Sequence, residues 1–180
     1  MNRRNMLGLT GSLMAATMLP TTSQGAGKVD ANLERLGITL PEPSNPVAVY
    51  VPYRVTGNQV FVAGNIPPND LDTPTYGKVG RDLTTDEAYI AARHVGLRIL
   101  AQLKRACDGD LDRVVQCLQI RGFVNCTDDF DEQSLVINGA SELFVEVFGE
   151  AGKGARAALG TNSLPRNAAC EIESIWEIRV

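Results

Sequence analysis

Three glutamates share one side of a single alternating run near the C-terminus, and no other cluster in this sequence has as much chemical capacity. In Cys170-Glu171-Ile172-Glu173-Ser174-Ile175-Trp176-Glu177-Ile178 the period is two. A strand therefore sends Cys170, Ile172, Trp176 and Ile178 to one face and Glu171, Glu173, Ile175 and Glu177 to the other. Three carboxylates cannot be plain core, because burying an unpaired charge is strongly unfavourable. That face must meet water, a partner or a functional cavity. Other chemistries are poorly supplied. His94 is the only histidine, so Ser-His and Cys-His nucleophilic catalysis are not expected; it falls mid-helix and reads as structural or surface. Cys107, Cys117, Cys126 and Cys170 form no Cys-x-x-Cys pair, which leaves no zinc ligand set. Buried free thiols are expected in preference to a disulfide framework. The formal net charge of −4 argues against nucleic-acid binding, which usually shows a basic patch.

The elements that must position these groups can be read from spacing. With 180 residues the chain suits one domain with a single core. Residues 28–46 hold a short amphipathic piece (Val29, Leu33, Leu36) and then Pro41, Pro43 and Pro46, which read as a connector before a 47–180 domain. Two strand-like runs, Val47–Val55 and Gln59–Asn65, flank the turn Thr56-Gly57-Asn58, a hairpin signal. Thr84 with Glu87 is a capping box; Ala88, Ala92, Val95, Ile99 and Leu103 then form a helical stripe that Gly109 stops. Arg113–Asn125 reads as a long strand and Gln133–Phe148 as a second helix ending at Gly149. The order β-β-α-β-α-β, with helices on one face, predicts an α+β two-layer sandwich.

The N-terminus carries a different signal. Arg3 and Arg4 precede an uncharged run, rich in Leu and Met, that Pro20 breaks. The apolar part is shorter than the roughly 20 residues a bilayer span needs. A basic start, a short apolar stretch and small polar residues is the layout of an export signal, here resembling a twin-arginine signal. Residues 1–27 are therefore expected to direct the chain to the periplasm and not to belong to the fold. A disordered or helical tail on a cytoplasmic protein is the alternative.

The motifs resemble those of the RidA/YjgF family, in a divergent branch labelled endoribonuclease L-PSP. Gly154-Ala155-Arg156-Ala157-Ala158-Leu159-Gly160, then Leu164-Pro165, then Glu171-Ile172-Glu173-Ser174-Ile175 are similar to its C-terminal signature. Pro52-Tyr53 and Phe61-Val62-Ala63-Gly64-Asn65-Ile66-Pro67 resemble its upstream elements, and Val136-Ile137-Asn138-Gly139-Ala140-Ser141 the divergent branch. The resemblance implies a chorismate-mutase-like fold with a mixed sheet, and a homotrimer whose sheets form a central barrel with sites between subunits. It implies hydrolysis of small 2-imino or 2-enamino acids to a 2-keto acid and ammonia, with no metal or organic cofactor. Arg156 then matches the guanidinium that grips the substrate carboxylate, and Glu171 the general base that activates water. Tyr53 matches a pocket tyrosine, Asn138 a helix asparagine, and Gly64 would offer a backbone N–H.

Each of these has a structural alternative: an ion pair for Arg156, a solvated carboxylate for Glu171, packing for Tyr53 and a surface amide for Asn138. Ala63 and Ala158 stand where the family's deaminases usually carry a hydroxyl residue and a cysteine. A non-enzymatic module binding a small carboxylate metabolite is therefore the first rival, and an endoribonuclease the second. The acidic balance and the lack of an aromatic-basic stripe weigh against the latter.

Overall fold

The computed structural model describes residues 27–46 and 48–180. The segment expected to be an export signal, apart from Gly27, lies outside the described residues, as does Val47. Eight main elements follow in order: α1 (Lys28–Arg35), β1 (Tyr53–Thr56), β2 (Gln59–Asn65), α2 (Thr85–Ala106), β3 (Val114–Asn125), α3 (Gln133–Phe148), β4 (Ala155–Thr161) and β5 (Cys170–Ile178). The strands make one mixed sheet in the order β1-β2-β5-β3-β4. Only the β3–β4 pair is parallel; the other three pairs are antiparallel.

The capping box forms as its spacing requires. The Glu87 backbone N–H donates to Thr84 Oγ1 at 3.2 Å and the Thr84 N–H to Glu87 Oε2 at 2.8 Å, which satisfies two otherwise orphaned donors. Ala88, Ala92, Val95, Ile99 and Leu103 are fully buried along one stripe. In α3 the inward residues are Val136, Ala140, Leu143, Phe144 and Val147, and Gly149, at φ +64, ends the helix. The two helices lie so close that backbone meets backbone. A Cβ at Gly139 would collide with the Tyr89 carbonyl oxygen and stand 2.9 Å from the Arg93 nitrogen.

β5 runs down the middle of the sheet with the alternation the sequence predicts. Cys170, Ile172, Ser174, Trp176 and Ile178 are buried under the helices, while Glu171, Glu173, Ile175 and Glu177 are only half-buried on the other side. Trp176 packs edge-on against Phe144, ring centroids 5.0 Å apart at 82°, and tilts against Phe148 at 5.4 Å. Such an edge-to-face pair contributes ~0.5–1.5 kcal/mol beyond its buried area. The indole N–H donates to Ser174 Oγ at 2.8 Å, so the buried polar handle is satisfied. All four cysteines are free and buried; burial pushes the Cys117 and Cys170 thiols up to about 12 and that of Cys107 to about 11. Thiolate chemistry is thereby suppressed.

Three features differ from the sequence expectation. The first strand begins at Tyr53 and not near Val47, because Pro52 has no N–H for a ladder; it contributes only a carbonyl, to the Ala63 N–H at 3.0 Å. The stretch Ala155–Thr161 is a fifth strand, so the β-β-α-β-α-β order lacks one element. Its Ala- and Gly-rich composition carries little strand propensity, and it is strand because the open edge of β3, Gln119 through Asn125, supplies its partners. Finally, the connector is not all connector. α1 lies within it, with Val29 and Leu33 in the core. Its first N–H groups donate to the Asp112 carboxylate at 2.7 and 2.9 Å, and Asn32 Nδ2 donates to the carbonyls of Glu146 and Val147.

The helix crossing yields a stability prediction. Gly139→Ala must push α2 and α3 apart, and overpacking of this kind costs ~1–3 kcal/mol. A fall in Tm of several degrees is expected, at ~2–4 °C per kcal/mol for a chain of this size. Thermal denaturation that leaves Tm unchanged would show that the helices are not in backbone contact at this point.

Candidate functional site

The sheet is covered by helices on one side only, and the other side carries the acidic row of β5. Register brings Arg54 of β1, Phe61 of β2, and Gln119 and Arg121 of β3 alongside it. Together with Glu173 they line an open cavity of about 290 Å³. Two of the three glutamates in the β5 row have donors. Arg121 pairs with Glu173 at 3.2 Å, and Glu177 accepts from Asn58 Nδ2 at 2.9 Å and Gln116 Nε2 at 2.7 Å. Glu171 has neither a hydrogen bond nor an ion pair among the described residues. Burial, and secondarily the nearby Glu173 charge, raises its pKa above the ordinary glutamate value.

Glu171 lies against Gly64. A Cβ at position 64 would overlap the carboxylate, with Glu171 Cδ at 3.1 Å and Cγ at 3.3 Å, so only glycine leaves the group room to rest on the β2 backbone. The strand bulges here, between Val62 and Asn65, and bulges commonly re-aim groups near functional sites.

Arg156 and Asn138 also meet. Arg156 Nη1 donates to Asn138 Oδ1 at 2.7 Å and to Ser141 Oγ at 3.2 Å. Both partners lie on α3, three residues apart and therefore on one face of the helix. Ser141 was not among the expected site residues, although the Asn138-x-x-Ser141 spacing carries the signal. Arg121 was also missed; the alternation of β3 places it beside Glu173.

These two pairs do not come together within one chain. Arg156 pairs with Ile120, a buried residue of the helix-covered face, and reaches toward α3. Glu171 pairs with Phe123 on the opposite face. β3 separates their strands, and Ile120 aligns Arg156 with Ser174, three residues from Glu171. Two strand spacings and three residue steps place their Cα atoms roughly 14 Å apart. Tyr53 joins neither pair: register sets it with Val62 and Ser174 on the helix side, where it is half-buried against the core although it borders the cavity. His94 sits mid-way along α2, half-buried and far along the chain from either pair, as expected of a structural or surface residue.

The comparisons agree with this architecture. The family model described as "YjgF/chorismate mutase-like, putative endoribonuclease" matches residues 30–178, so the match starts inside α1. Protein TCP17 of Trypanosoma cruzi is 44% identical over 154 residues, which is 85% of this chain and 96% of that protein. The structure of Atu1372 from Agrobacterium tumefaciens, a protein with unknown function, is similar at a TM-score of 0.77 and 43% identity, over 84% of this chain and 92% of that one. A protein from Shewanella oneidensis MR-1, described as a "putative endoribonuclease", is similar at a TM-score of 0.79 and 32% identity, over 84% and 100%. With the α+β sandwich, the Arg156…Leu164-Pro165…Glu171 order and these matches in agreement, the chain belongs to the RidA/YjgF family of chorismate-mutase-like proteins.

Proposed function

We propose that the protein hydrolyses small 2-imino or 2-enamino acids to 2-keto acids and ammonia, at sites built between subunits of a homotrimer. The observation that carries this is Glu171, a half-buried carboxylate with a raised pKa and no protein donor among the described residues. Burial without a partner costs stability and makes the group a better base, as a general base for water requires. In one chain Arg156 and Glu171 project from opposite faces of the sheet. A crevice holding both therefore takes Arg156, with Asn138 and Ser141, from one subunit and Glu171, with Gly64, from its neighbour. The uncovered acidic face of the sheet would then line the trimer interior, and neither face is left as plain solvent-exposed sheet.

In this arrangement the Arg156 guanidinium takes the substrate carboxylate and Gly64 offers its N–H. Glu171 removes a proton from water as the oxygen bonds to the imine carbon, then returns it to nitrogen. The carbinolamine so formed then gives its hydroxyl proton by way of Glu171 to nitrogen as the C=O forms and the C–N bond breaks, so that ammonia leaves and the 2-keto acid remains. Holding the acid beside the water supplies much of the rest of the acceleration, because the encounter becomes intramolecular. No metal or organic cofactor takes part in this scheme, and residues 1–27 act as a twin-arginine-type signal that places it in the periplasm. Ala63 and Ala158 favour a second reading, in which the same crevice binds a small carboxylate metabolite without turning it over; an endoribonuclease activity is the third.

The purified protein should release ammonia from freshly generated 2-iminopropanoate faster than buffer, and Arg156→Ala should remove the excess. Mixed trimers of Arg156→Ala and Glu171→Ala should regain part of the activity that neither variant has alone. Rates equal to buffer for wild type across a panel of imino acids would end the hydrolase proposal; ligand-dependent thermal shifts in that case would support the binding module, and cleavage of RNA the endoribonuclease.

The pKa of Glu171 gives a second test. A base must be ionised, so activity falls as pH drops through a pKa that lies above the ordinary glutamate value. Glu173→Gln removes one of the two causes of the shift and should move the acid limb to lower pH; an unmoved or raised limb would exclude Glu171 as the titrating base. The same linkage has a stability sign. A carboxylate whose pKa is raised on folding destabilises the fold above that pKa, and the cost vanishes below the unfolded value. Glu171→Gln should therefore raise Tm at neutral pH while abolishing hydrolysis. For localisation, N-terminal sequencing of protein from its native host should find residues 1–27 removed, and their retention would contradict export.

A further inference from the structure

A second cavity, about 560 Å³, lies away from both halves of the proposed site, between α2, the 66–71 loop and the 39–42 segment. Its size is that of small-molecule sites. Two guanidiniums border it, one held by a carbonyl and the other over an aromatic ring. Arg98 donates to the Ile66 carbonyl at 2.9 Å. Tyr76 donates its hydroxyl to the Pro67 carbonyl at 2.8 Å, and Arg166 sits over the Tyr76 ring at 5.9 Å from its centroid. The loop between them is pinned as well, by Thr75 Oγ1 donating to the Pro68 carbonyl at 2.7 Å and by the Ala169 N–H donating to the Thr75 carbonyl at 3.0 Å. Two carboxylates, Glu42 and Asp70, line the same cavity. None of the four charges forms an ion pair among the described residues. Leu40, Leu71 and Leu97 supply apolar wall between them.

A simple anion gains little here, since the two carboxylates oppose what the two guanidiniums attract; a simple cation meets the converse. A molecule bearing both signs satisfies both pairs at once. Guanidinium is weakly hydrated and shaped to grip a carboxylate, an ammonium suits Asp70 or Glu42, and an apolar side chain fits the leucine wall. We infer that this cavity binds a zwitterionic amino compound with an apolar side chain, between a free amino acid and a dipeptide in size. The site is separate from the Arg156 and Glu171 crevice and does not depend on the hydrolase proposal.

Calorimetric titration of the purified chain with L-leucine and L-leucylglycine, alongside isovalerate, isoamylamine and inorganic phosphate, tests this. At least one zwitterion should bind about tenfold or more tightly than every probe carrying charge of one sign only, a difference of ~1.4 kcal/mol. Arg98→Gln and Arg166→Gln should each weaken that binding by a similar factor. Asp70→Asn should weaken it too, while strengthening isovalerate, an exchange that mere loss of folding cannot produce. Circular dichroism and Tm identify any variant that has simply unfolded, and Arg166→Gln, on an exposed residue, is the variant least coupled to the core. Arg156→Ala should leave zwitterion binding intact. The proposal is overturned if neither zwitterion binds at about 10 mM, if isovalerate binds as well as leucine, or if Arg156→Ala abolishes binding while the Arg98→Gln and Arg166→Gln variants retain it.

Discussion

Trp176, wedged under Phe144 and Phe148 in the middle of the sheet, fixes which way the central strand faces, and every site residue inherits its direction from that. The side-chain period of a strand is two, so sliding β5 by one residue would turn Trp176, Ile172 and Ile178 to the open side and drive Glu171, Glu173 and Glu177 beneath the helices. That would cost both the buried apolar surface and the burial of three charges. The register of a strand flanked by β2 and β3 on either side is therefore strongly determined. Ser174, which satisfies the indole N–H, removes the remaining objection to burying the largest side chain of the core.

The same constraint explains why the carboxylates differ from one another. Glu177 near the end of β5 and Glu173 beside Arg121 have donors supplied by neighbouring strands. Glu171 lies where β2 bulges and Gly64 offers only bare backbone. Its neighbours thus give it burial and a like charge, both of which favour the protonated form. A row that alternation makes chemically uniform becomes two braced carboxylates and one poised carboxylate. Arg156 belongs to the other layer. It extends from an edge strand toward α3, and Asn138 and Ser141, one helical turn apart, steady its guanidinium.

That separation gives the family membership its physical meaning. With α2 and α3 on one side of the sheet, the acidic face and the β1 and β4 edges have no cover among the described residues, and uncovered faces and open edges of this kind are where other chains can pair. Glu171 and Arg156 lie on different sides of the same layer, on strands that β3 separates.

The two long helices α2 and α3, the strands β2, β3 and β5 and the two faces of β5 were legible from residue spacing alone, because capping boxes, helical stripes and two-residue alternation are local patterns that burial enforces. The matched motifs named Gly64, Glu171, Arg156 and Asn138 one by one, and only the folded chain shows Glu171 against Gly64 and Arg156 bonded to Asn138. Three further things were settled only by the tertiary structure. Ala155–Thr161 is a strand through the free edge of β3, not through its own propensity, and α1 is held by the distant Asp112 carboxylate and the end of α3. The third is sidedness. Linear order places Arg156 fifteen residues before Glu171, yet whether two strands turn their side chains the same way depends on which strand lies between them and in what register, and sequence spacing within either strand carries no information about that.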